Sequence, residues 1–315
     1  AFVTASTVAS IEETIADADI ALNAAKTAGR STCCIFTNEM RAVAVESAQI
    51  SAQIREGLTT GQFKPFFQPQ VDVQTQQIIG FEALARWDHP TRGIRSAAEF
   101  VDVAQDSRLI EEIHNQIFAE VCRSISRLAA LGIRHPRISV NVSTAKISDP
   151  KLVDRLIWTA DAADIDPASL GIEFLESTML DDRSAHVIEN IHRLAQEGFS
   201  IELDDFGTGH AAIANLRKFP VERIKIDRSL IAGIDQDDEL QLITGAIIGM
   251  ARKLGLRVLG EGVETEEEFA FLKQARCTCA QGYLFGRPMG FDDLAGWIAD
   301  WPHGVAPDAP GVIRA

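Results

Sequence analysis

Basic charge, long apolar runs and metal-spaced cysteine are all scarce in this sequence, and each scarcity counts against a class of function. The 30 Lys and Arg are outnumbered by 45 Asp and Glu, giving a net charge of −15 over 315 residues. Binding to a nucleic-acid polymer without sequence preference needs a basic footprint, so that role is disfavoured. An anionic ligand would have to meet metal ions or a few placed cations instead of a general positive field. No apolar run reaches the ~20 residues needed to span a bilayer. The longest, LITGAIIGMARKLGL, is broken by glycines and by Arg252-Lys253 and reads as a buried helix. The 5 cysteines include the neighbours Cys33 and Cys34, and Cys277 one residue from Cys279. With no secretory signal, reduced thiols in a cytoplasmic chain are the expectation. The CTC pair could be half a metal site, but no second Cys/His pair has zinc spacing, so strand packing is the better reading.

What is present is ordinary for a soluble globular protein, 46% hydrophobic and 24% charged. The length accommodates one domain of about 250 residues with flanking material. The chain opens at Ala1, without an initiator Met, in structured-looking sequence. It is therefore expected to be a piece of a longer parent, which could be membrane-anchored upstream.

From residue 63 onward, short apolar runs alternate with helical stretches. FFQPQVDV (66–73) and IIGFEALARW (78–87) form a first pair joined by the polar turn QTQQ. Helices are expected near 97–108 and 110–131, then the strand RISVNVS (137–143), a helix near 150–163 and LGIEFLES (170–177). A helix near 184–198 leads to SIELDDFG (200–207), a short one near 211–218 to ERIKID (222–227), and a long one at 237–254 to LRVLGEGV (256–263). A helix at 265–275, the strand CAQGYLFG (279–286) and a helix near 291–300 complete the pattern before a Pro-rich tail. Such alternation with continuous apolar strands calls for a parallel sheet covered by helices. About eight strands within ~240 residues point to an α/β protein with a (β/α)8 TIM-type barrel. The opening pair is joined by too short a turn for a parallel crossover, so one strand is expected to be antiparallel.

Polar residues gather at the strand ends: Glu82, Asn141, Glu173 with Glu176, Asp204 with Asp205, Lys225 with Asp227, Glu261, and Gln281. In a parallel barrel those ends share one face, where active sites form. The stretch IELDDFGTGH (201–210) is the sharpest case, because an apolar strand runs into two adjacent carboxylates. The bland alternative is an N-cap at a strand-to-helix turn. Seven strand ends doing the same thing favour a site instead. Carboxylates with an Asn and no Cys or His suit a hard divalent ion, Mg2+ or Mn2+. Two neighbouring Asp residues can serve two ions about 3.5–4 Å apart, a spacing used in phosphoryl displacement.

The ordered segments FEALARW, VNVS, IEFLES, LDDFGTG, IKIDRSLI, LGEGVET and QGYLFGRPM resemble those of EAL-domain cyclic di-GMP phosphodiesterases, over roughly residues 50–300. The resemblance implies a modified (β/α)8 barrel that hydrolyses cyclic di-GMP to linear pGpG with two Mg2+ or Mn2+ ions, commonly as a homodimer. By that resemblance Glu82, Asn141, Glu173 and Asp204 hold the first metal, and Asp204 bridges to a second held by Asp205 and Glu261. Lys225 would hold a water and assist proton transfer, so catalysis is expected to rest on Lys225, Glu261 and Glu82. Gln68, Arg86 and Gln281 are the expected substrate contacts. Glu176, tethering the loop after the fifth strand, is expected to support the site from behind, as are Asp227 and Glu264.

Some positions depart from the family pattern. His210, Ala211 and Ala212 stand where Tyr-Ser-Ser is frequent, and Leu175 replaces a Thr. Ala97, Gln105 and Arg108 stand where Pro, Glu and Gly are common. None is an expected metal ligand, but the changes could lower activity or alter its regulation. His210 has the free pKa of a general base, yet a loop or interface histidine is the better reading. His89 is expected in a turn beside Pro90. A second function class therefore stays open: a weak or inactive EAL domain acting as a cyclic di-GMP receptor. A third, an unrelated two-metal barrel hydrolase, would neither bind nor cleave that nucleotide.

The segment IADADIALNAAKTAGRSTCCIF (15–36) resembles the closing helix and strand of a GGDEF domain, with Asn23 in place of a Tyr. The GGDEF signature itself is absent, so cyclase activity is not supported, and upstream GGDEF or sensory domains are expected in the parent. The expected organisation is a GGDEF-like remnant at 1–38, a connecting helix at 39–62, the EAL barrel at 63–300 and a tail at 301–315.

Overall fold

Alternating burial sets each barrel strand. In β4 (Arg137–Asn141), β5 (Leu170–Leu175), β6 (Ser200–Phe206) and β7 (Arg223–Ile226), Ile138 and Val140, Ile172 and Phe174, Ile201 and Leu203, and Ile224 and Ile226 are all buried on one side of the sheet. The residues between them are polar or glycine and face the other side, because successive strand side chains point to opposite faces. A sheet apolar on its outer side and polar within can close into a barrel covered by helices. These strands belong to a computed structural model that describes residues 10–27, 32–101, 107–133, 136–180, 185–208, 216 and 218–307.

The remaining barrel strands are β1 (Phe63–Asp72), β2 (Ile78–His89), β8 (Arg257–Gly260) and β9 (Cys279–Gln281). Their order is β1-β9-β8-β7-β6-β5-β4-β2, and a β1–β2 pairing closes the circle. Pairs from β2–β4 round to β8–β9 are parallel, whereas β1 runs antiparallel to β9, with Gln70 opposite Gln281. The eight-stranded mixed barrel with one reversed strand is the fold expected from the sequence. An additional short strand, β3 (Gly93–Ser96), neighbours β2.

The chain divides into two units. One contains the described residues up to Gln62 together with Trp87–Ile113, and the other Phe63–Arg86 with those from His114 onward. In the first, α1 (Ile11–Thr27) and α2 (Asn38–Thr60) are tied by Arg41 and Asp17, with Nε to Oδ1 at 3.1 Å. Thr37 caps α2 by accepting from the Met40 N–H, and Gly61 ends it at φ +69°, a left-handed conformation that glycine adopts without strain. Residues 32–37 have no regular structure, so the strand expected in STCCIF does not form there; a strand without a neighbouring strand has no hydrogen-bond partners. Of the stretch 97–108 expected to be helical, Ala97–Glu99 form a 3-10 turn begun by a Ser96–Glu99 capping box and residues 107–108 open the helix Ser107–Ala130, while residues 102–106, and with them Gln105, lie outside the described residues. His89 accepts from the N–H groups of Thr91 and Arg92 in the turn after β2.

In the second unit, helix Asp238–Lys253 buries Thr244, Ile248 and Ala251, but Leu242 is exposed, so this segment is amphipathic and not buried all round. Cys277 and Cys279 are buried free thiols; the Cys277 Sγ–H donates to Val258 O at 3.3 Å, and burial pushes its pKa up to about 12. They pack, as expected. The start of the C-terminal tail is pinned. Val305 bridges Ile78 in parallel, and Trp301 Nε1 donates to Gln76 O at 2.9 Å. Among the described residues, no helix is long and apolar enough to cross a membrane.

Candidate active site

The inward side chains form two layers, because residues two apart on a strand share a face. The deeper layer contains Gly80, Ser139, Gly171, Glu202, Arg223 and Gln70. Arg223 Nε donates to Glu202 Oε2 at 2.9 Å, Arg223 Nη2 to Gln70 Oε1 at 2.7 Å, and Ser139 Oγ to Glu202 Oε1 at 3.0 Å. Gly80 and Gly171 make room for these groups. A Cβ on Gly171 would lie 2.8 Å from Glu202 Oε1, and one on Gly80 2.7 Å from Gln70 Oε1. Gly171→Ala should therefore destabilise the protein by about 1–3 kcal/mol through overpacking, read as a lower urea midpoint; an unchanged midpoint would contradict the layer geometry.

Two residues further along each strand lies the layer at the barrel mouth: Glu82, Asn141, Glu173, Asp204 and Lys225, with Glu261 just after β8. Lys225 is fully buried at its centre. Its Nζ lies 2.7 Å from Glu173 Oε2, 2.7 Å from Glu261 Oε1, 3.0 Å from Asp204 Oδ1 and 3.4 Å from Glu82 Oε2. Glu82 accepts from Asn141 Nδ2 (2.7 Å) and Gln281 Nε2 (2.6 Å).

Asp205 joins this layer against the strand period, which would point it outward when Asp204 points in. The β6–β7 register shifts between Leu203 and Phe206, and Asp205 adopts φ +54°, a conformation Asp tolerates better than most side chains. The bulge brings its carboxylate to the mouth. One ligand oxygen from each of Glu82, Glu173 and Asp204 lies within 4.8 Å of the others, and the same holds for Asp204, Asp205 and Glu261. Asp204 belongs to both groups.

The electrostatics show what this crowding does. Burial disfavours the Lys225 ammonium, but Asp204, Glu173, Glu261 and Glu82 outweigh it and raise the pKa well above the usual lysine range. Burial, reinforced by Glu82, raises Glu173 well above the carboxylate range. Burial, with Asp204 and Glu82 adding to it, pushes Glu261 up to about 8 even against Lys225. Burial and then Asp204 raise Asp205. Glu82 goes the other way: burial would raise it, but Lys225, Gln281 and Asn141 hold it below its ordinary value. Among the described residues, buried Glu173 Oε1 has no hydrogen-bond partner. All-carboxylate donors, converging oxygens and an unpartnered buried oxygen fit a hard divalent cation.

The other expected site residues divide. Gln281 and Gln68 are buried beside Glu82, with Gln281 Nε2 donating to Gln68 Oε1 at 3.1 Å. Arg86 is half-buried four residues after Glu82 on β2, so it shares the Glu82 side of the strand. Glu176 Oε2 accepts from the Gly207 N–H at 2.9 Å, across from β5 to the turn after β6, the fifth barrel strand. Asp227 caps the turn Arg228–Leu230 by accepting from the Ser229 N–H. Glu264 is exposed, its carboxylate 2.9 Å from Arg228 Nη2, so it braces the segment after β8 and is not part of the buried cluster. His210, Ala211, Ala212 and the short helix expected near 211–218 fall outside the described residues except at 216 and 218. The deeper layer of Gln70, Ser139, Glu202 and Arg223 was not anticipated. Its signal was a polar residue two positions before Asn141, Asp204 and Lys225.

A model of the EAL domain family matches residues 51–288. The chain belongs to this family. It is 31% identical over 304 residues to "Cyclic di-GMP phosphodiesterase NbdA" of Pseudomonas aeruginosa, covering 96% of this chain and 39% of that protein. It is 33% identical over 287 residues to "Bifunctional diguanylate cyclase/cyclic di-GMP phosphodiesterase MucR" of the same organism, covering 91% of this chain and 42% of that protein. The chain thus spans about two fifths of the length of these relatives. A solved structure described as "PaMucR Phosphodiesterase, c-di-GMP complex" superposes with a TM-score of 0.74 at 33% identity, covering 78% of this chain and 99% of that one.

The raised carboxylates of this EAL domain give its metal-free form a characteristic pH dependence. Between the ordinary glutamate value of 4.5 and about 8, folded Glu261 holds a proton that the unfolded chain has lost. Stability then falls as pH rises through that window. His114, which burial depresses from 6.5 to about 4, acts oppositely between those two values, so the window to examine is about 6.5 to 8. In chelator, the melting temperature should fall across it. Mn2+ should stabilise more at the upper end, because binding requires ionised carboxylates. A flat profile would contradict the assigned burial of Glu261.

Proposed function

We propose that this EAL domain hydrolyses cyclic di-GMP to linear pGpG with two divalent cations, Mg2+ or Mn2+. The observation that carries the reading is the pair of carboxylate groups sharing Asp204 around Lys225. Once ionised, five carboxylates against one ammonium leave a negative excess that two divalent ions would balance. The relatives named as cyclic di-GMP phosphodiesterases support the choice of substrate. When bound, the ions supply activation of water and neutralisation of the phosphodiester. In this reading Glu82, Asn141, Glu173 and Asp204 hold one ion, and Asp204, Asp205 and Glu261 the other.

The chain's own groups do the rest. Asn141 gives its Nδ2 hydrogen to Glu82, which leaves its carbonyl oxygen as the ligand. Gln68, Arg86 and Gln281 orient the nucleotide, with Arg86 offering its fork to a phosphate. Lys225 starts as a fixed ammonium that can donate to a water. A proton-transfer role requires its pKa to fall, which follows if ions withdraw the surrounding carboxylate charge. Glu176 keeps Asp205 oriented by holding the Gly207 N–H two residues on. A homodimer, and an origin of residues 1–38 as the end of a GGDEF domain, belong to the same reading.

The test is incubation of pure protein with cyclic di-GMP and either Mg2+ or Mn2+, with products separated by chromatography. Formation of pGpG, lost on chelation, is the expected result. Binding without turnover would make the chain a receptor and overturn the proposal.

A further inference from the structure

Hydrogen bonds through the barrel interior run in one direction. Arg223 Nη2 donates to Gln70 Oε1 (2.7 Å), Gln70 Nε2 to Gln281 Oε1 (2.9 Å), and Gln281 Nε2 to Glu82 Oε2 (2.6 Å). The two ends of this chain admit one polarity. An arginine only donates, so Gln70 must offer its carbonyl; an ionised carboxylate only accepts, so Gln281 must offer its amide nitrogen. Both demands are met only when the Gln70 nitrogen faces the Gln281 oxygen. A glutamine amide reverses readily where its partners are indifferent. Here reversing either one alone sets oxygen against oxygen or nitrogen against nitrogen, at positions where Gln70 is 0% and Gln281 4% exposed.

We infer that Arg223 and Gln70 are positioning residues that fix the amide of Gln281 and so keep Glu82 oriented for ion binding. The inference rests on reading Glu82 as a metal ligand. Neither residue belongs to the carboxylate groups that would hold the ions; Arg223 and Gln70 lie one layer deeper. Glu202 contributes by anchoring Arg223, so that the guanidinium presents Nη2 to Gln70. Two carboxamides in series thus transmit a fixed orientation from a buried ion pair to the mouth.

An inversion of the usual mutational order tests this. Gln70→Glu keeps the shape and adds a favourable charge toward Arg223, but a carboxylate cannot donate to Gln281 Oε1. The Gln281 amide would turn to meet it and set its carbonyl against Glu82. Gln70→Met has a similar length and imposes no polarity, so Gln281 remains held by Glu82 and Gln68. Mn2+ affinity of the full chain, titrated by the electron paramagnetic resonance of the free ion, should weaken about 3–10-fold in Q70M. It should weaken on the order of 10-fold further in Q70E, although Q70E melts no lower than Q70M in chelator. A merely structural role gives the opposite order, with the isosteric Q70E the milder change. Unchanged affinity in Q70M, or Q70E binding as well as Q70M, overturns the inference, and Q70M decides alone if Q70E does not fold. If the parent chain binds no Mn2+, the metal-ligand reading of Glu82 falls, and this inference falls with it. If the order holds without turnover of cyclic di-GMP, the positioning role stands and the phosphodiesterase reading falls.

Discussion

Asp204→Asn is expected to lower cyclic di-GMP hydrolysis on the order of 10³-fold or more, while the metal-free protein melts no lower than its parent. Asp204 is the carboxylate common to both ion-sized groups, so its charge is withdrawn from both at once. Asn keeps the size of the side chain but offers a neutral, weaker oxygen. The stability expectation has the opposite sign. Asp204 raises the pKa of Glu173, Asp205 and Glu261 by repulsion, and its compensation is the contact with Lys225 at 3.0 Å. Removing one charge from a crowd of carboxylates relieves more repulsion than it forfeits attraction. A site assembled for ions is strained without them, and the variant should exchange function for stability. Steady-state assays with Mn2+, together with thermal melts in chelator, check both halves. Retained turnover would remove Asp204 from the site; a large drop in metal-free melting temperature would contradict the electrostatic picture.

Much of this was legible in the sequence because a parallel barrel gathers the carboxyl ends of its strands. Glu82, Glu173, Asp204, Lys225 and Glu261 could be placed together from strand ends alone. The role of Asp205 was less accessible, since the two-residue period assigns it to the outer face and only a bulge reverses that. Glu202 and Arg223 lay inside apolar-looking runs, and their burial is intelligible only once they face each other across neighbouring strands. Outside the barrel the sequence misled in one place: among the described residues the apolar STCCIF has no strand beside it. The Pro-rich tail gave no sign of its pairing with Ile78, because that is a tertiary contact more than 200 residues distant.

Lys225→Met isolates what the ammonium at the centre of the barrel mouth contributes. Met fills a similar volume, so packing is preserved and charge is the variable. Without Lys225, Glu173, Glu82, Asp204 and Glu261 lose the cation within 3.4 Å of all four. Removing one partner of a buried ion cluster is expected to cost about 3–5 kcal/mol. Protonation of the remaining carboxylates can absorb part of this, so the loss should be smaller near pH 6.5 and grow toward pH 8, where Glu261 of the parent begins to ionise at about 8. Saturating Mn2+ should restore part of the stability by binding only the folded form. It should not restore turnover if Lys225 also donates to the attacking water. Urea titrations in chelator and in Mn2+, at the two pH values, separate these contributions. A K225M protein as stable as its parent in chelator at the higher pH would mean that the carboxylates around Lys225 are already neutral, and the ion-binding argument would lose its electrostatic basis.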